Sequence, residues 1–223
     1  MRATREDMLH DIEIEARYTR ELIGREAFAA RVMQAMGDVP REKFVPPNMQ
    51  GAAFENGPLP IGHGQTISQP YIVALMTDLL EPEAGHGILE IGTGCGYQTA
   101  ILSRLCARVY TVEVVRELGA AAQDRLHSLG YRNIEFLIGN GYAGWPDHAP
   151  YDGIIVTAAS SHLPPALVGQ LKPGGRLIVP VGKPYGYQNL MLVEKDARGE
   201  VSTRTILGVA FVPLVESGLP DRA

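Results

Sequence analysis

A glycine loop directly after a short apolar segment constrains this chain more than any other feature. Residues 88 to 96 read Ile-Leu-Glu-Ile-Gly-Thr-Gly-Cys-Gly, and a helical pattern follows from Tyr97. The apolar part predicts a buried strand, and Gly92, Gly94 and Gly96 let the backbone turn sharply and approach a ligand. Strand, glycine loop and helix in this order are typical of the first unit of a nucleotide-binding α/β domain, whose ligand lies at the carboxyl end of the strand.

The composition is that of an ordinary globular protein and argues against several functional classes. With 223 residues, of which 45% are hydrophobic and 20% charged, the chain can build one good core, and we expect one domain over residues 1 to 223. A net charge of -5 without a basic cluster argues against a nucleic-acid partner. Cys95 and Cys106 form neither a disulfide framework nor a metal-ligand pattern. Without a transmembrane pattern or an apolar leader, we expect no membrane partner and a cytoplasmic location.

Strand and helix patterns alternate over most of the chain. Residues 1 to 57 predict a helical extension, and residues 72 to 79 predict a helix whose start at Ser68 looks like an N-cap. Residues 172 to 175, Lys-Pro-Gly-Gly, predict a turn before the fifth strand. From residue 86 to 215 we expect a doubly wound, mostly parallel, seven-stranded sheet of α/β class, with an antiparallel hairpin at one edge.

Two acidic residues and a missing glycine favour S-adenosylmethionine over a dinucleotide. Tyr97 stands where a dinucleotide-binding loop has its third glycine. Glu90, on the first strand, would repel a pyrophosphate but attract an ammonium group such as that of S-adenosylmethionine. Glu113 ends the second strand, where a carboxylate can accept hydrogen bonds from both ribose hydroxyls. Taken alone, Glu90 is also interpretable as a helix-capping acid and Glu113 as a solvated strand end.

Asn140 and Gly141 follow the third predicted strand and are placed to meet the adenine edge. An Asn side chain both donates and accepts hydrogen bonds, which matches an exocyclic amine and a ring nitrogen. An ordinary Asn-Gly turn is an equally good interpretation of this pair.

Five segments outside the glycine loop point to one family. They are Val39-Pro-Arg-Glu-Lys-Phe44, Pro60-Ile-Gly-His-Gly-Gln-Thr-Ile-Ser-Gln-Pro-Tyr71, Pro150-Tyr-Asp152, Leu171-Lys-Pro-Gly-Gly-Arg-Leu-Ile-Val-Pro-Val-Gly182 and Phe211-Val-Pro-Leu214. With the loop, they resemble protein-L-isoaspartate O-methyltransferases over about residues 26 to 215. These enzymes methylate isoaspartyl residues in damaged proteins and so start their repair. Because many methyltransferases share the glycine loop, the first two segments distinguish this family.

The resemblance implies an S-adenosylmethionine-dependent methyltransferase of the class I, Rossmann-like type. Its partners would be isoaspartyl-containing proteins and peptides, and we expect a monomer. Ser68 is implied as the catalytic residue, and cofactor contacts are implied for Gln65, Thr66, Ile67, Ser68, Gly92, Gly94, Cys95, Glu113, Val114, Asn140 and Gly141. The family usually has Asp in place of Asn140 and a small residue such as Ser in place of Cys95. Asn140 lacks the charge of Asp, which puts the cofactor affinity in question, whereas Cys95 is close to Ser in volume.

Residues 58 to 80 are predicted to form an active-site lid and the helix after it, with Gly57, Gly62 and Gly64 as hinges. Methyl transfer to a carboxylate needs no strong base, because the acceptor is already ionised near pH 7. The protein must align the reactants and exclude water. We expect Ser68 to orient the acceptor by hydrogen bonding, a role compatible with capping the helix.

Two other functions remain open. A methyltransferase for DNA would show Asn or Asp followed by Pro-Pro after the fourth strand, or Cys before Pro, whereas residues 157 to 160 read Thr-Ala-Ala-Ser and Gly96 and Ala107 follow the two cysteines. RNA or a small molecule is also an alternative substrate. A non-catalytic module that binds S-adenosylmethionine is the other alternative. It stays open because Asn140 stands where the family usually has Asp.

Overall fold

The alternation of strands and helices folds into a layered α/β structure, in a computed structural model that describes residues 2 to 216. The helices are α1 (Arg5–Ile23), α2 (Ala30–Asp38), α3 (Pro70–Leu80), α4 (Tyr97–Ser103), α5 (Arg116–Ser128) and α6 (Pro165–Gly169). The strands are β1 (Leu59–Gly62), β2 (Gln65–Ile67), β3 (Gly87–Ile91), β4 (Arg108–Glu113), β5 (Ile134–Ile138), β6 (Tyr151–Val156), β7 (Leu171–Gly182), β8 (Gln188–Lys195) and β9 (Val201–Val209).

Seven of these strands form the central sheet, in the order β5-β4-β3-β6-β7-β8-β9. The first five in this order run parallel, and β8 and β9 add an antiparallel edge. The expected fold class is therefore confirmed. The strand order reverses between β3 and β6, and the carboxyl ends of strands at such a switch point form the ligand crevice of doubly wound sheets.

The N-terminal helices pack against α3 and extend the core beyond the sheet. Met8 and Ile12 of α1, Met36 of α2 and Leu75 of α3 are fully buried in one cluster. Burial of aliphatic side chains such as these contributes about 1.5–3 kcal/mol each. A bond of 2.7 Å between the hydroxyls of Thr19 and Tyr71 adds a polar link between α1 and α3. Helices α1 and α2 are therefore packed against the helix that follows the expected lid.

Two expectations about local structure need correction. Helix α3 has Gln69 as its N-cap, without a side-chain capping bond, so Ser68 does not cap it. Residues 172 to 175 do not separate two elements, because β7 runs through them. Between the pairs Tyr151 with Leu171 and Gly153 with Arg176, β7 has four residues where β6 has one. The Pro-Gly-Gly segment is therefore a bulge within a strand, with Gly174 at φ +82°.

The domain expected over residues 1 to 223 includes residue 1 and residues 217 to 223, which lie outside the described residues. Within residues 2 to 216, no helix is long and apolar enough to cross a membrane.

Candidate active site

A narrow cavity of about 80 Å³ lies at the carboxyl ends of β3 and β4, beside the switch point of the sheet. Four stretches of chain line most of it: residues 65 to 68, 91 to 95, 112 to 115 and 212 to 215. Gly141, Thr157 and several apolar side chains complete the wall. The cavity thus brings together most of the residues that the sequence predicts for a cofactor site, although they are spread over residues 65 to 141.

The glycine loop forms the floor of the cavity because larger residues do not fit there. Gly92 has φ +96°, and a Cβ atom at this position would overlap Oγ1 of Thr157. That hydroxyl donates a hydrogen bond of 2.6 Å to the Gly92 carbonyl, so the loop is tied to the end of β6. A non-glycine residue here would be strained and would also displace Thr157.

Glu113 holds the glycine loop against the end of β4. Its Oε2 accepts a hydrogen bond of 2.7 Å from the Gly94 amide, and its Oε1 accepts bonds of 3.0 and 2.9 Å from the amides of Val114 and Val115. The carboxylate is buried and lines the cavity. It is therefore not a solvated strand end, and ribose hydroxyls at this position would compete with the Gly94 amide.

Glu90 lies behind the cavity wall, which corrects its expected location. Its side chain is fully buried, and its Oε2 accepts hydrogen bonds from Thr99 (2.5 Å) and Thr111 (2.6 Å). Burial raises the pKa of Glu90 to about 8, so the carboxyl is mainly protonated near neutral pH. Side chains alternate along a strand, and Ile91 rather than Glu90 faces the cavity. A neutral group on the other face is not a direct partner for an ammonium ion.

Asn140 also lies outside the cavity lining. Its Oδ1 accepts a hydrogen bond of 2.9 Å from the Tyr142 amide and caps a short 3-10 turn, Gly141–Ala143. The turn interpretation of Asn-Gly therefore describes this side chain, and its expected contact with adenine stays a prediction. Gly141 lines the cavity, and a Cβ atom there would overlap Ile91.

Four consecutive residues of the β1–β2 hairpin and its end, Gln65 to Ser68, line the cavity. Among the described residues, none forms a hydrogen bond with the Ser68 hydroxyl, whereas the Ser68 carbonyl accepts a bond of 2.8 Å from Arg41 Nη2. The hydroxyl is therefore free to bind a substrate. His63, by contrast, lies exposed at the tip of the β1–β2 hairpin, with φ +52°.

Cys95 and Val114 reach the cavity as well. Burial raises the pKa of the Cys95 thiol, which keeps it neutral, and the Cys95 carbonyl accepts a hydrogen bond of 2.9 Å from Arg125. The thiol thus adds a small apolar contact to the wall rather than a charge.

Sequence reasoning missed the C-terminal wall of the site. Residues 212 to 215 line the cavity because the backbone next to Ala159 pairs with them in parallel. The Ala159 amide donates to Val212 O, and the Leu214 amide donates to Ala159 O, both at 2.8 Å. The only sequence signal for this wall is the family-like segment that begins at Phe211. Spacing gives no such signal, because residues 212 to 215 lie more than 100 residues after the glycine loop.

A wider groove of about 540 Å³ adjoins the cavity. Both spaces are lined by Thr66, Ser68, Thr157 and Val212, so they meet beside the end of the β1–β2 hairpin. None of the residues that line the groove is charged. One side of the groove is held by the side-chain amide of Gln188. Its Nε2 donates to Phe211 O (3.0 Å), and its Oε1 accepts from Phe211 N (2.7 Å).

Comparison with known proteins identifies one family over most of the chain. The family model for protein-L-isoaspartate(D-aspartate) O-methyltransferase matches residues 19 to 218. Protein-L-isoaspartate O-methyltransferase 2 from Polaromonas sp. is 56% identical over 93% of this chain and 98% of its own. Protein-L-isoaspartate O-methyltransferase 1 from Cupriavidus necator is 56% identical over 95% of this chain and 82% of its own.

Solved structures agree with the fold. A solved protein-L-isoaspartate O-methyltransferase superposes with a TM-score of 0.80 at 29% identity, over 94% of this chain and 65% of that chain. A Plasmodium falciparum protein in complex with S-adenosyl-L-homocysteine superposes with a TM-score of 0.77 at 24% identity, over 96% of this chain and 100% of that chain. Because the family model and both curated relatives cover most of the sequence, the chain belongs to the protein-L-isoaspartate(D-aspartate) O-methyltransferase family.

Proposed function

We propose that this chain transfers a methyl group from S-adenosylmethionine to the free carboxylate of isoaspartyl residues in damaged proteins and peptides, which starts their repair. One observation carries the proposal beyond family membership. The narrow cavity and the open groove meet at Ser68, so a methyl donor in the first can face an acceptor in the second. The groove is uncharged, which suits a peptide that is recognised mainly through its backbone.

The residues of the cavity suit S-adenosylmethionine in their chemistry. Glu113 can accept hydrogen bonds from ribose hydroxyls, backbone amides of the glycine loop can meet the methionine part, and Val114, Gly141 and Leu214 offer an apolar wall for adenine. When bound, the cofactor would supply an activated methyl group on a sulfonium cation. Cavities for small ligands usually enclose about 300 Å³ or more, so the walls of this one must separate to admit the cofactor.

The lid supplies a wall that can separate. We assign residues 58 to 80 to the lid and its helix: a short antiparallel hairpin, β1 and β2, leads into α3. At its tip, Gly62, His63 and Gly64 all have positive φ. Ile61 reaches over the glycine loop, within 3.4 Å of where a Cβ atom of Gly94 would lie. Opening of the hairpin would widen the cavity, and its closure would exclude water from the reacting groups.

Ser68 is assigned to orient the acceptor. Its hydroxyl is free to donate a hydrogen bond to the isoaspartyl carboxylate, because it neither caps α3 nor binds another described residue. The carboxylate is ionised near pH 7 and needs no base. Alignment of the oxygen, the methyl carbon and the sulfur is then the main task of the protein, and such positioning can account for several kcal/mol of a barrier.

The test uses paired peptides that differ only in the linkage of one aspartyl residue. Incubation with S-adenosylmethionine labelled in the methyl group should give a base-labile methyl ester on the isoaspartyl peptide and none on the normal peptide. Label on both peptides, or on RNA, DNA or a small molecule alone, would indicate a methyltransferase with another substrate. Binding of S-adenosylmethionine without any transfer would indicate a non-catalytic module.

The remaining assignments concern the whole protein. We keep the expectation of a monomer in the cytoplasm that acts on proteins and not on nucleic acid. Light scattering on the purified protein tests the first, and fractionation of the source cells tests the second. Neither property is needed for the proposed reaction, since every residue assigned to it belongs to one chain.

A further inference from the structure

Arg41 is a buried arginine without an acidic partner. It lies in a single 3-10 turn, Arg41–Lys43, and its side chain is 0% exposed. Burial lowers its pKa, but guanidinium groups remain charged in proteins. Within residues 2 to 216, no carboxylate lies within 4.0 Å of it. A buried charge without an acidic partner is costly unless hydrogen bonds to other groups compensate for it.

Backbone carbonyls from separate segments replace the missing carboxylate. Nε donates to Ala53 O and Nη2 to Ser68 O, both at 2.8 Å, and a longer contact of 3.5 Å reaches Gly57 O. Gly57 and Ser68 lie at the two ends of the lid hairpin. A planar guanidinium can hold several acceptors in a fixed arrangement, which an ammonium group cannot. Arg41 therefore ties Ser68, at the end of the β1–β2 hairpin, to the N-terminal part of the chain, with a weaker contact before the start of the hairpin.

The same guanidinium also touches the wall that carries the cofactor site. Its carbon atom lies over the Tyr97 ring, 4.8 Å from the centroid. Tyr97 is the first residue of α4, directly after the glycine loop, and it lines the narrow cavity. Cation–π contacts of this kind are stronger when they are shielded from water, as this one is. One side chain thus contacts the Ser68 backbone and the glycine-loop side of the cavity.

We propose that Arg41 is a positioning residue for methyl transfer, which acts by holding the Ser68 backbone in register with the cofactor wall at Tyr97. Arg41 itself does not line the cavity. Its contribution therefore depends on the Ser68 hydroxyl. When the hydroxyl is absent, as in Ser68→Ala, the position of residue 68 should have little effect on turnover. This inference rests on the proposed function, because its readout is the methylation of an isoaspartyl peptide.

The test is a double-mutant cycle of Arg41→Lys and Ser68→Ala. Lysine keeps the charge but loses the fork that binds Ser68 O and Ala53 O together. In the wild-type background we expect Arg41→Lys to lower kcat about 10-fold while the Kd for S-adenosylhomocysteine changes less than about 3-fold. In the Ser68→Ala background the same change should lower kcat less than about 2-fold.

Arg25→Lys is the matched control for a merely structural arginine. Arg25 binds Asp78 Oδ2 at 3.0 Å near the far end of α3, with Glu81 as a second partner. We expect this variant to lower the melting temperature without a change in kcat beyond about 2-fold, in either background. If Arg41→Lys behaved as Arg25→Lys does, the positioning role would be overturned.

Three results would contradict the proposal, and each is distinguishable from a failure of the proposed function. Losses from Arg41→Lys and Ser68→Ala that multiply would show that the two residues act independently. Wild-type kcat in Arg41→Lys would show that the fork is dispensable. If Arg41→Lys did not fold, Arg41→Gln would replace it in the cycle, and unfolding of both would assign Arg41 to stability alone. If the wild-type protein failed to methylate the isoaspartyl peptide, that result would contradict the proposed function rather than the role of Arg41.

Discussion

Ser68 is the residue on which the proposed chemistry depends most. We expect Ser68→Ala to lower kcat about 10- to 100-fold, because the acceptor carboxylate loses the hydrogen bond that orients it. The Kd for S-adenosylhomocysteine should change less than about 3-fold, since the other walls of the cavity remain. Steady-state kinetics with an isoaspartyl peptide and calorimetry with the cofactor product give the two values. Ser202→Ala on the exposed part of β9 is the control, and unchanged turnover in Ser68→Ala would contradict the assignment.

Glu90 should give the stability of the protein a distinctive pH dependence. Its pKa is raised from 4.5 to about 8 in the folded state, so the folded protein binds more protons than the unfolded chain between these values. The contribution of Glu90 to stability is therefore greatest at low pH and falls as pH rises through this window, by at most about 1.4 kcal/mol per pH unit. Above pH 8 the buried Glu90 carboxyl is ionised, and this charge should lower the free energy of unfolding.

Urea unfolding at several pH values between 5 and 8.5 measures this effect. We expect the difference in unfolding free energy between the wild-type protein and Glu90→Gln to decline steadily with rising pH, because Gln cannot ionise. Glu200→Gln, in an exposed turn, should leave the slope unchanged. A difference that stays constant across the range would show that Glu90 ionises normally in the folded protein.

At the residue scale, the sequence predicts which positions form the site better than it predicts what each side chain does. Gly94 and Glu113 reach the cavity because β3 and β4 end at the same edge of the central sheet, whereas Gln65 to Ser68 reach it from the separate β1–β2 hairpin. The direction of Glu90 was not predictable, since a strand buried on both faces shows no alternation to indicate which face meets the ligand. Arg41 belongs to a segment that resembles the family, but its contacts gave no signal in the sequence, because its partners lie 12 and 27 residues away.

At the scale of elements, the glycine loop is held by contacts that only glycine permits. We expect Gly92→Ala to lower the free energy of unfolding by about 1–3 kcal/mol from its positive φ, with a further loss from the overlap with Thr157. Cofactor binding should be lost at the same time, because the loop would move away from Glu113. Chemical denaturation and calorimetry measure the two effects.

Gly130→Ala is the matched control for this substitution. Gly130 has φ +89°, close to that of Gly92, but a Cβ atom there would have no neighbour within 4 Å. It should show the conformational cost alone and bind the cofactor normally. Equal destabilisation by the two substitutions, or cofactor binding by Gly92→Ala, would contradict the proposed packing of the loop.

The boundaries of helices and strands match the sequence pattern closely where the hydrophobic periodicity is strong. They match it poorly where contacts with distant residues determine the structure. Strand β5 begins and ends where its apolar pattern does, and α3 matches its helical pattern to within a few residues. The β1–β2 hairpin was not predicted, because each strand is too short to show alternation. The bulge in β7 reads as a turn in the sequence, since Pro-Gly-Gly is common to both structures.

At the scale of the whole molecule, cofactor binding should stabilise the protein and order both walls of the cavity. At 100 times the Kd, S-adenosylhomocysteine should add about 2.7 kcal/mol to the free energy of unfolding, which for a chain of this size is about 5–10 °C in melting temperature. Hydrogen exchange should slow in residues 58 to 68 and 211 to 216. A dinucleotide such as NADH should neither stabilise the protein nor slow this exchange. Stabilisation by NADH alone would contradict S-adenosylmethionine as the cofactor.

The arrangement of two spaces that meet at Ser68 is tested most directly by one crystal structure, of the protein with S-adenosylhomocysteine and an isoaspartyl peptide. We predict the cofactor product between the glycine loop and Glu113, the peptide in the groove beside Gln188, and the isoaspartyl carboxylate within hydrogen-bonding distance of Ser68 Oγ. A peptide bound elsewhere, or a carboxylate directed away from Ser68 towards another group, would contradict the account.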